Sequence, residues 1–191
     1  MKNIKGTQTE KNLLAAFAGE SQARNRYSYF ASKAKKEGYE QIAAIFLETA
    51  ENEKEHAKVF FKYLKGGDIE IMASYPAGVI GTTEENLYAA AEGEKMEWGT
   101  LYPNFADTAE KEGFSDIAKS FKEIAEVESY HEKRYRKLQD NVKNNAVFQK
   151  KKTVKWKCRT CGYVHEGPEA PDVCPACKHP KAYYEVWTEP Y

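Results

Sequence analysis

Two Glu-x-x-His motifs carry the side chains of this sequence that are best suited to binding metal ions. Glu53 and His56 form the first motif, and Glu128 and His131 form the second. A spacing of three residues on a helix places both side chains on one face, about one turn apart. Oxygen-rich ligand sets with one imidazole per metal favour iron or manganese, whereas zinc and copper sites contain more sulfur or histidine. The motifs therefore predict a carboxylate-rich metal centre.

Glu20 and Glu94 are predicted to complete this metal centre. They occupy corresponding places in two similar halves of the chain, within Phe-Ala-Gly-Glu-Ser and Ala-Glu-Gly-Glu-Lys. One glutamate from each of two helices, with Glu-x-x-His from each of two others, is the pattern of bundles that hold two iron or manganese ions. A solvated helix face is the alternative for any single glutamate. Apolar residues precede Glu20 and Glu53, however, and buried carboxylates without partners are unfavourable.

Glu97 breaks the symmetry between the two halves. It lies three residues after Glu94, at a place where the first half has Ala23. The stretch from Glu94 to Tyr102 is also one residue longer than its counterpart, and an inserted residue is often absorbed as a π-bulge at a functional site. We predict a bulge between Glu94 and Pro103 that turns Glu97 toward the metals. The alternative is a solvent-facing Glu97, with the extra residue accommodated at Pro103.

Two tyrosines follow the single-glutamate ligands. Tyr27 comes seven residues after Glu20, and Tyr102 comes eight residues after Glu94. Their hydroxyls are expected to donate hydrogen bonds to ligating carboxylates and so fix their orientation. Aromatic packing in the core is the alternative for either residue.

Four long helices are expected to position these residues. Capping boxes are predicted at Thr7–Glu10 and Thr82–Glu85. Glycines are expected to end the helices, at Gly38, Gly66–Gly67 and Gly113. Helices are predicted over residues 7–37, 39–65, 83–112 and 114–143, and an extended connection over 68–81. Two helical hairpins joined by one long crossover predict a mainly α protein with a ferritin-like four-helix bundle.

The C-terminal part of the sequence has a different composition and a second predicted metal site. All four cysteines lie there, as two Cys-x-x-Cys pairs separated by twelve residues: Cys158, Cys161, Cys174 and Cys177. This spacing predicts a tetrathiolate site for iron or zinc, and the clustering argues against a disulfide framework and for a reducing cytoplasm. The predicted domains are a bundle over 1–143, a linker over 144–152 and a small β/loop domain over 153–191.

The composition excludes several other classes of function. The formal net charge is zero, so there is no basic excess for nucleic acid or a membrane surface. No apolar run approaches the roughly 20 residues of a membrane span. The N-terminus is polar and runs into a helical pattern, so no secretory signal is expected.

The motifs together are similar to those of one known family. The Cys-x-x-Cys-Gly-Tyr and Cys-Pro-x-Cys-x-x-Pro segments resemble rubredoxin, and the bundle motifs resemble ferritin-like di-iron proteins. Their order along the chain resembles the rubrerythrin family. This resemblance implies a cytoplasmic oxidoreductase of oxidative-stress defence that reduces hydrogen peroxide to water. It implies two non-haem irons in the bundle, an iron in the four-cysteine site with zinc as its substitute, and an external donor such as rubredoxin or an NAD(P)H-dependent reductase. It also implies a homodimer in which one chain's four-cysteine site lies near the partner's di-iron site.

The resemblance also suggests a role for each ligand. Glu53 and Glu128 are expected to bridge the irons, Glu20 and Glu94 to be terminal ligands, and His131 to hold the second iron. His56 and Glu97 are the two candidates for one position on the first iron, and the family implies that they exchange on oxidation. The residues expected to take part in catalysis are Glu97, His56, Tyr27 and Tyr102.

Electron counting agrees with a peroxidase. Reduction of peroxide to two waters takes two electrons, which a diferrous pair supplies, while a tetrathiolate iron carries one electron at a time. Three alternatives remain: an iron-storing ferroxidase, an oxidase that uses dioxygen, and a non-enzymatic zinc-ribbon interaction module.

Overall fold

The computed structural model describes residues 3–189 and confirms the mainly helical fold. Five α-helices form four rods, because a π-helical turn over Glu97–Leu101 joins two of the helices into one rod. The helices are α1 (Gln8–Lys36), α2 (Glu40–Tyr63), α3 (Thr83–Met96), α4 (Tyr102–Lys111) and α5 (Ser115–Lys143). The crossover between α2 and α3 is extended and irregular, as predicted. Within the described range no helix is long and apolar enough to cross a membrane.

The two helical hairpins turn in the same way. Gly38 and Gly113 both have positive φ angles, of 82° and 79°, which glycine adopts without steric cost. The N–H of the residue after each glycine donates to the carbonyl five residues earlier, at 2.9 Å and 2.8 Å. This is the hydrogen bond of a Schellman motif, and its recurrence supports the repeat inferred from sequence.

The hairpins also cap each other. Glu37, at the end of α1, accepts a hydrogen bond of 2.8 Å from the backbone N–H of Thr83 at the start of α3. Glu112, at the end of α4, accepts one of 2.8 Å from the N–H of Thr9 at the start of α1. Each carboxylate therefore satisfies a free N–H group at the positive end of a helix in the other hairpin.

One of the two predicted capping boxes is complete. Thr82 and Glu85 exchange both hydrogen bonds of the motif. Thr7 caps α1 by accepting from the N–H of Glu10, but the Glu10 carboxylate accepts from the N–H of Gly6. The predicted hydrogen bond from the Thr7 N–H to the Glu10 carboxylate is therefore wrong, since the donor is the N–H of the preceding residue, Gly6.

Two apolar clusters fill the bundle and leave a layer between them for the polar ligands. One cluster contains Phe30 of α1, Phe46 of α2 and Leu87 of α3. The other contains Leu13 of α1 and Phe60 of α2. Along each rod, the predicted ligands lie between the residues of one cluster and those of the other. The apolar packing thus fixes the height at which all four rods present their ligands.

The C-terminal domain is a three-stranded antiparallel sheet with the order β2-β1-β3. Its strands are β1 (Gln149–Cys158), β2 (Val164–Glu169) and β3 (Tyr184–Val186). Trp156 is fully buried in the small core, and its indole N–H donates to the Gly167 carbonyl at 3.0 Å. Two of the four cysteines, Cys158 and Cys174, belong to the same core.

A short seam attaches this domain to the hairpin turn of its own bundle. The ring of Tyr39 stacks on Phe148, with centroids 6.1 Å apart and planes 8° from parallel. A Cβ on Gly38 would lie 3.6 Å from the Ala182 Cβ. Strand β1 begins at Gln149, so the second half of the predicted linker belongs to the sheet.

Candidate metal centre

Six side chains from the four rods meet in the layer between the apolar clusters. They form two overlapping sets of ligand atoms, and within each set the atoms lie within 4.8 Å of one another. The first set contains Glu20 and His56, the second contains Glu94 and His131, and Glu53 and Glu128 belong to both. All four glutamates are buried, with at most 1% of each residue exposed.

The two shared carboxylates each face both histidines. Glu53 places one oxygen 2.9 Å from His56 Nδ1 and the other 3.3 Å from His131 Nδ1. Glu128 places its oxygens 2.9 Å and 2.7 Å from the same two nitrogens. A carboxylate that directs one oxygen to each of two imidazoles has the geometry needed to bridge two cations.

Each of the two remaining glutamates lies near a single histidine. Glu20 Oε1 lies 3.9 Å from His56 Nδ1, and Glu94 Oε2 lies 3.7 Å from His131 Nδ1. The centre therefore divides into two halves with equivalent ligands, related by the repeat.

The predicted tyrosine hydrogen bonds are present, and they cross between the repeats. Tyr102 of the second repeat donates to Glu20 Oε1 at 2.5 Å. Tyr27 of the first repeat donates to Glu94 Oε1 at 2.6 Å. Both bonds are buried, so each hydroxyl fixes the rotamer of a carboxylate on the other hairpin. Spacing along the chain gave no sign of this crossing, because it depends on how the two hairpins pack.

Apart from the two imidazole nitrogens, several carboxylate oxygens at the centre have no hydrogen-bond donor in the described residues. These buried atoms are Glu20 Oε2, Glu94 Oε2, Glu53 Oε1 and both oxygens of Glu128. Each tyrosine thus occupies one oxygen of its glutamate and leaves the other free. Buried polar atoms without partners are costly, and a pair of cations would satisfy all of these oxygens at once. The donor set therefore fits two iron ions.

Burial changes the proton affinity of the acidic groups. It raises the pKa of Glu20, Glu94 and Glu97 well above the usual value, and neighbouring carboxylates raise it further. Burial and the charges of Glu94 and Glu20 likewise raise the pKa values of Tyr27 and Tyr102, so both hydroxyls stay protonated and remain donors. Metal ions binding to such a cluster displace protons from it.

The pKa values of the two histidines are raised, although burial alone would lower them. Burial lowers the pKa of His56, but its contacts with Glu128 and Glu53 outweigh this and raise the pKa to about 10. The corresponding contacts raise the pKa of His131 to about 12. Burial raises the pKa of Glu128, yet the two histidines hold it at about 2. Without metal, the imidazoles therefore serve as the cations of the cluster.

The predicted bulge before Pro103 is confirmed as the π-helical turn that begins at Glu97. Only 7% of Glu97 is exposed, so it does not face solvent. Its carboxylate lies outside both ligand sets, and its Oε1 is 4.0 Å from the place of a Cβ on Gly19. The structure therefore brings Glu97 to the edge of the centre, while His56 lies inside it.

The four cysteines form a second centre in the small domain. All four are free thiols, and the Sγ atoms of Cys158 and Cys177 are 3.6 Å apart, as are those of Cys161 and Cys174. Four sulfurs around one metal at about 2.3 Å would be roughly 3.8 Å apart. The observed spacing fits a tetrathiolate metal ion without rearrangement.

A helical bundle with this carboxylate and histidine set, followed by a four-cysteine sheet domain, defines a ferritin-like di-iron protein with a rubredoxin-like module. Residues 11–139 match the family model described as Rubrerythrin, and residues 156–185 match the one described as Rubrerythrin, rubredoxin-like domain. The chain belongs to the rubrerythrin family. Both metal centres of that family, the di-iron carboxylate site and the four-cysteine site, are present.

Similar proteins cover nearly the whole chain. The rubrerythrin of Porphyromonas gingivalis is 61% identical over 184 residues, which are 96% of this chain and 92% of that protein. The rubrerythrin of Nitratidesulfovibrio vulgaris is 55% identical over 186 residues, 97% of each chain. A solved structure of nigerythrin in a mixed-valence state superimposes with a TM-score of 0.62 at 31% identity, covering 97% of this chain and 89% of the other.

Proposed function

We propose that this protein is a peroxidase that reduces hydrogen peroxide to two molecules of water in oxidative-stress defence. The observation that carries the proposal is the presence in one chain of a two-metal ligand set with shared carboxylates and a separate four-thiolate site. Two irons in the bundle supply the two electrons of the reaction, and iron in the thiolate site supplies them singly for re-reduction. A ferroxidase would use the same bundle but would leave the four thiolates without a role.

The contacts support a distinct role for each ligand. Glu53 and Glu128 would be shared by the two metals, because each directs one oxygen to each histidine. Glu20 is a terminal ligand on the side of His56, and Glu94 is its counterpart on the side of the second histidine, His131. Tyr102 and Tyr27 each hold one oxygen of these two terminal carboxylates, so the other oxygen would be available to a metal.

Glu97 and His56 are proposed as alternative ligands at one position. His56 lies within the first ligand set, and Glu97 lies at its edge on a turn that departs from α-helical geometry. A carboxylate that replaces a neutral imidazole adds one negative charge, which offsets the positive charge gained on oxidation. Glu97 follows Glu94 by three residues at the end of α3, which places both side chains on one face of the helix, and the π-helical turn begins at Glu97.

The position of the small domain supports electron transfer between two copies of the chain. The seam at Gly38 and Tyr39 lies beyond the end of α1, and Glu20 precedes Lys36 by 16 residues, or about 24 Å of helix. We therefore propose a homodimer in which each small domain serves the bundle of its partner. The four free thiols suit a reducing cytoplasm, where rubredoxin or an NAD(P)H-dependent reductase supplies the electrons.

Anaerobic reoxidation kinetics test the proposal. The iron-loaded protein is reduced and mixed with hydrogen peroxide or with dioxygen, and the reoxidation rates are compared. Faster reoxidation by peroxide, with water as product, is expected. Faster reoxidation by dioxygen would indicate an oxidase. Accumulation of a ferric mineral in a multi-subunit shell, seen by light scattering, would indicate a ferroxidase.

A variant of Glu97 tests the ligand exchange. Glu97→Ala is expected to leave two irons bound in the bundle but to slow peroxide turnover. Glu123→Gln is the matched control, because Glu123 is an exposed glutamate of α5 away from the centre. Unchanged turnover in Glu97→Ala contradicts the exchange, and iron loss in this variant would instead make Glu97 a structural ligand.

A further inference from the structure

A large cavity opens beside the metal centre, between α1, the π-helical turn and the crossover. Its volume is about 990 Å³, and we call it the crossover cavity. Its inner wall includes Tyr27 and Glu97, so it reaches the residues that surround the di-iron ligands. Its other walls include Gly19, Arg26, Ile69, Ile71, Leu101 and Phe105.

The crossover is held in place over this cavity. The Tyr75 hydroxyl donates to the Ala15 carbonyl of α1 at 2.8 Å. The Tyr75 ring lies 3.7 Å from the place where Gly19 would carry a Cβ, so the crossover is in van der Waals reach of the helix at this point. The cavity is therefore preformed and does not require the crossover to move.

The cavity is too large for hydrogen peroxide alone. Hydrogen peroxide is little larger than water, which occupies about 30 Å³ in the liquid, whereas sites for small organic molecules measure roughly 300–1,000 Å³. The walls combine polar side chains with apolar ones. Ile69 and Ile71 of the extended crossover are half-buried, and both line the cavity.

One polar group in the cavity wall lacks a partner. The Nε of Arg26 is buried and donates no hydrogen bond to any residue of the described chain. Arg26 is also close enough to Glu97 for its charge to affect that carboxylate. A ligand oxygen at this inner end would meet the positive charge of Arg26, while an apolar substituent would contact the isoleucines.

We propose that the crossover cavity binds organic hydroperoxides and makes them substrates of the di-iron centre. The hydroperoxide group lies at the inner end, between Arg26 and Glu97, and the apolar substituent lies along Ile69 and Ile71. The O–O bond breaks, two electrons from the metal pair and two protons from water are taken up, and the products are an alcohol and water. This inference rests on the peroxidase function proposed above.

A comparison of two substrates in a variant with a bulkier cavity wall tests the proposal. Cumene hydroperoxide and hydrogen peroxide are compared as substrates of the iron-loaded protein. Ile71→Trp, which places a bulkier side chain where the apolar substituent would lie, is expected to lower the ratio of kcat/KM for cumene hydroperoxide to that for hydrogen peroxide by about tenfold. Val79→Trp is the matched control, because Val79 belongs to the same crossover, is 85% exposed and lies outside the cavity wall.

A binding measurement gives a readout that does not depend on turnover. Calorimetric titration of the oxidised protein with cumyl alcohol, the unreactive product, should show binding that Ile71→Trp weakens and Val79→Trp preserves. Reduction of hydrogen peroxide without reduction of cumene hydroperoxide overturns this inference alone. Reduction of neither peroxide overturns both this inference and the proposed function. Equal effects of the two tryptophan variants would also overturn the assignment of the cavity.

Discussion

Removal of one buried hydroxyl isolates the contribution of the crossed tyrosines to metal binding. Tyr102→Phe deletes the donor that lies 2.5 Å from Glu20 Oε1 and changes little else, because the ring is fully buried among aromatic neighbours. Without the donor, Glu20 keeps its place in the sequence but loses the contact that fixes its rotamer. Both of its oxygens then compete for the metal.

The size of the effect follows from the kind of hydrogen bond. A hydrogen bond to a charged group contributes about 1.5–3 kcal/mol, and loss of a group that orients a metal ligand lowers metal affinity about 10- to 100-fold. These two ranges agree, since about 1.4 kcal/mol corresponds to a factor of ten. We expect Tyr102→Phe to weaken ferrous-ion binding by about 10- to 100-fold at the half of the centre that contains His56.

Competition with a chromophoric chelator under anaerobic conditions measures this affinity. Tyr135→Phe is the matched control, because Tyr135 is also fully buried in the bundle and its hydroxyl donates no hydrogen bond to a ligand carboxylate in the part of the chain described. It should leave metal affinity unchanged. Equal losses in the two variants, or no loss in Tyr102→Phe, would refute the reasoning.

Three further changes test other parts of the structure. Thermal unfolding of the metal-free protein should show stability falling as the pH rises from about 6.5, the ordinary histidine value. The folded-state pKa values of His56 and His131 are raised to about 10 and about 12, so their stabilisation is complete below pH 6.5 and lost on passing those values; iron loading should remove the slope. Gly38→Ala should cost about 1–2 kcal/mol in denaturant unfolding, because Gly38 has a φ of 82°. Gly93→Ala, in open space on a helix, should instead stabilise by about 1 kcal/mol. Cys161→Ser should abolish the red thiolate–iron absorption and lower the iron content from about three to about two per chain; an unchanged spectrum would contradict the tetrathiolate assignment.

Residue spacing was sufficient to predict the parts of the fold that obey local rules. The i, i+3 spacing of Glu53 and His56 places both side chains on one face wherever the segment is helical. The extra residue before Tyr102 can be accommodated in a helix in few ways other than a bulge. The glycines at both hairpin turns are similarly local, because a positive φ excludes most other residues. These features could therefore be predicted from a single sequence.

The remaining features depend on packing between distant segments. Which glutamate receives each tyrosine is decided by contacts across 67 and 82 residues of sequence. The strand that begins at Gln149 pairs with its partner strand, although its first four residues are polar and basic. The crossover that walls the cavity is joined to α1 by the hydrogen bond from Tyr75 to Ala15, 60 residues away. No periodicity in the sequence carries such information.

The crossed hydrogen bonds also describe how such a centre could arise. A contact in which residue i of one unit meets residue j of another, and j meets i, is the isologous contact of a symmetric dimer. Here both units lie in one chain, as the tyrosine bonds and the reciprocal caps by Glu37 and Glu112 show. A single hairpin paired with its own copy would already contain the glutamate and histidine ligands that the two halves have in common. Glu97 would be the only acidic residue of the centre that such an ancestor lacked.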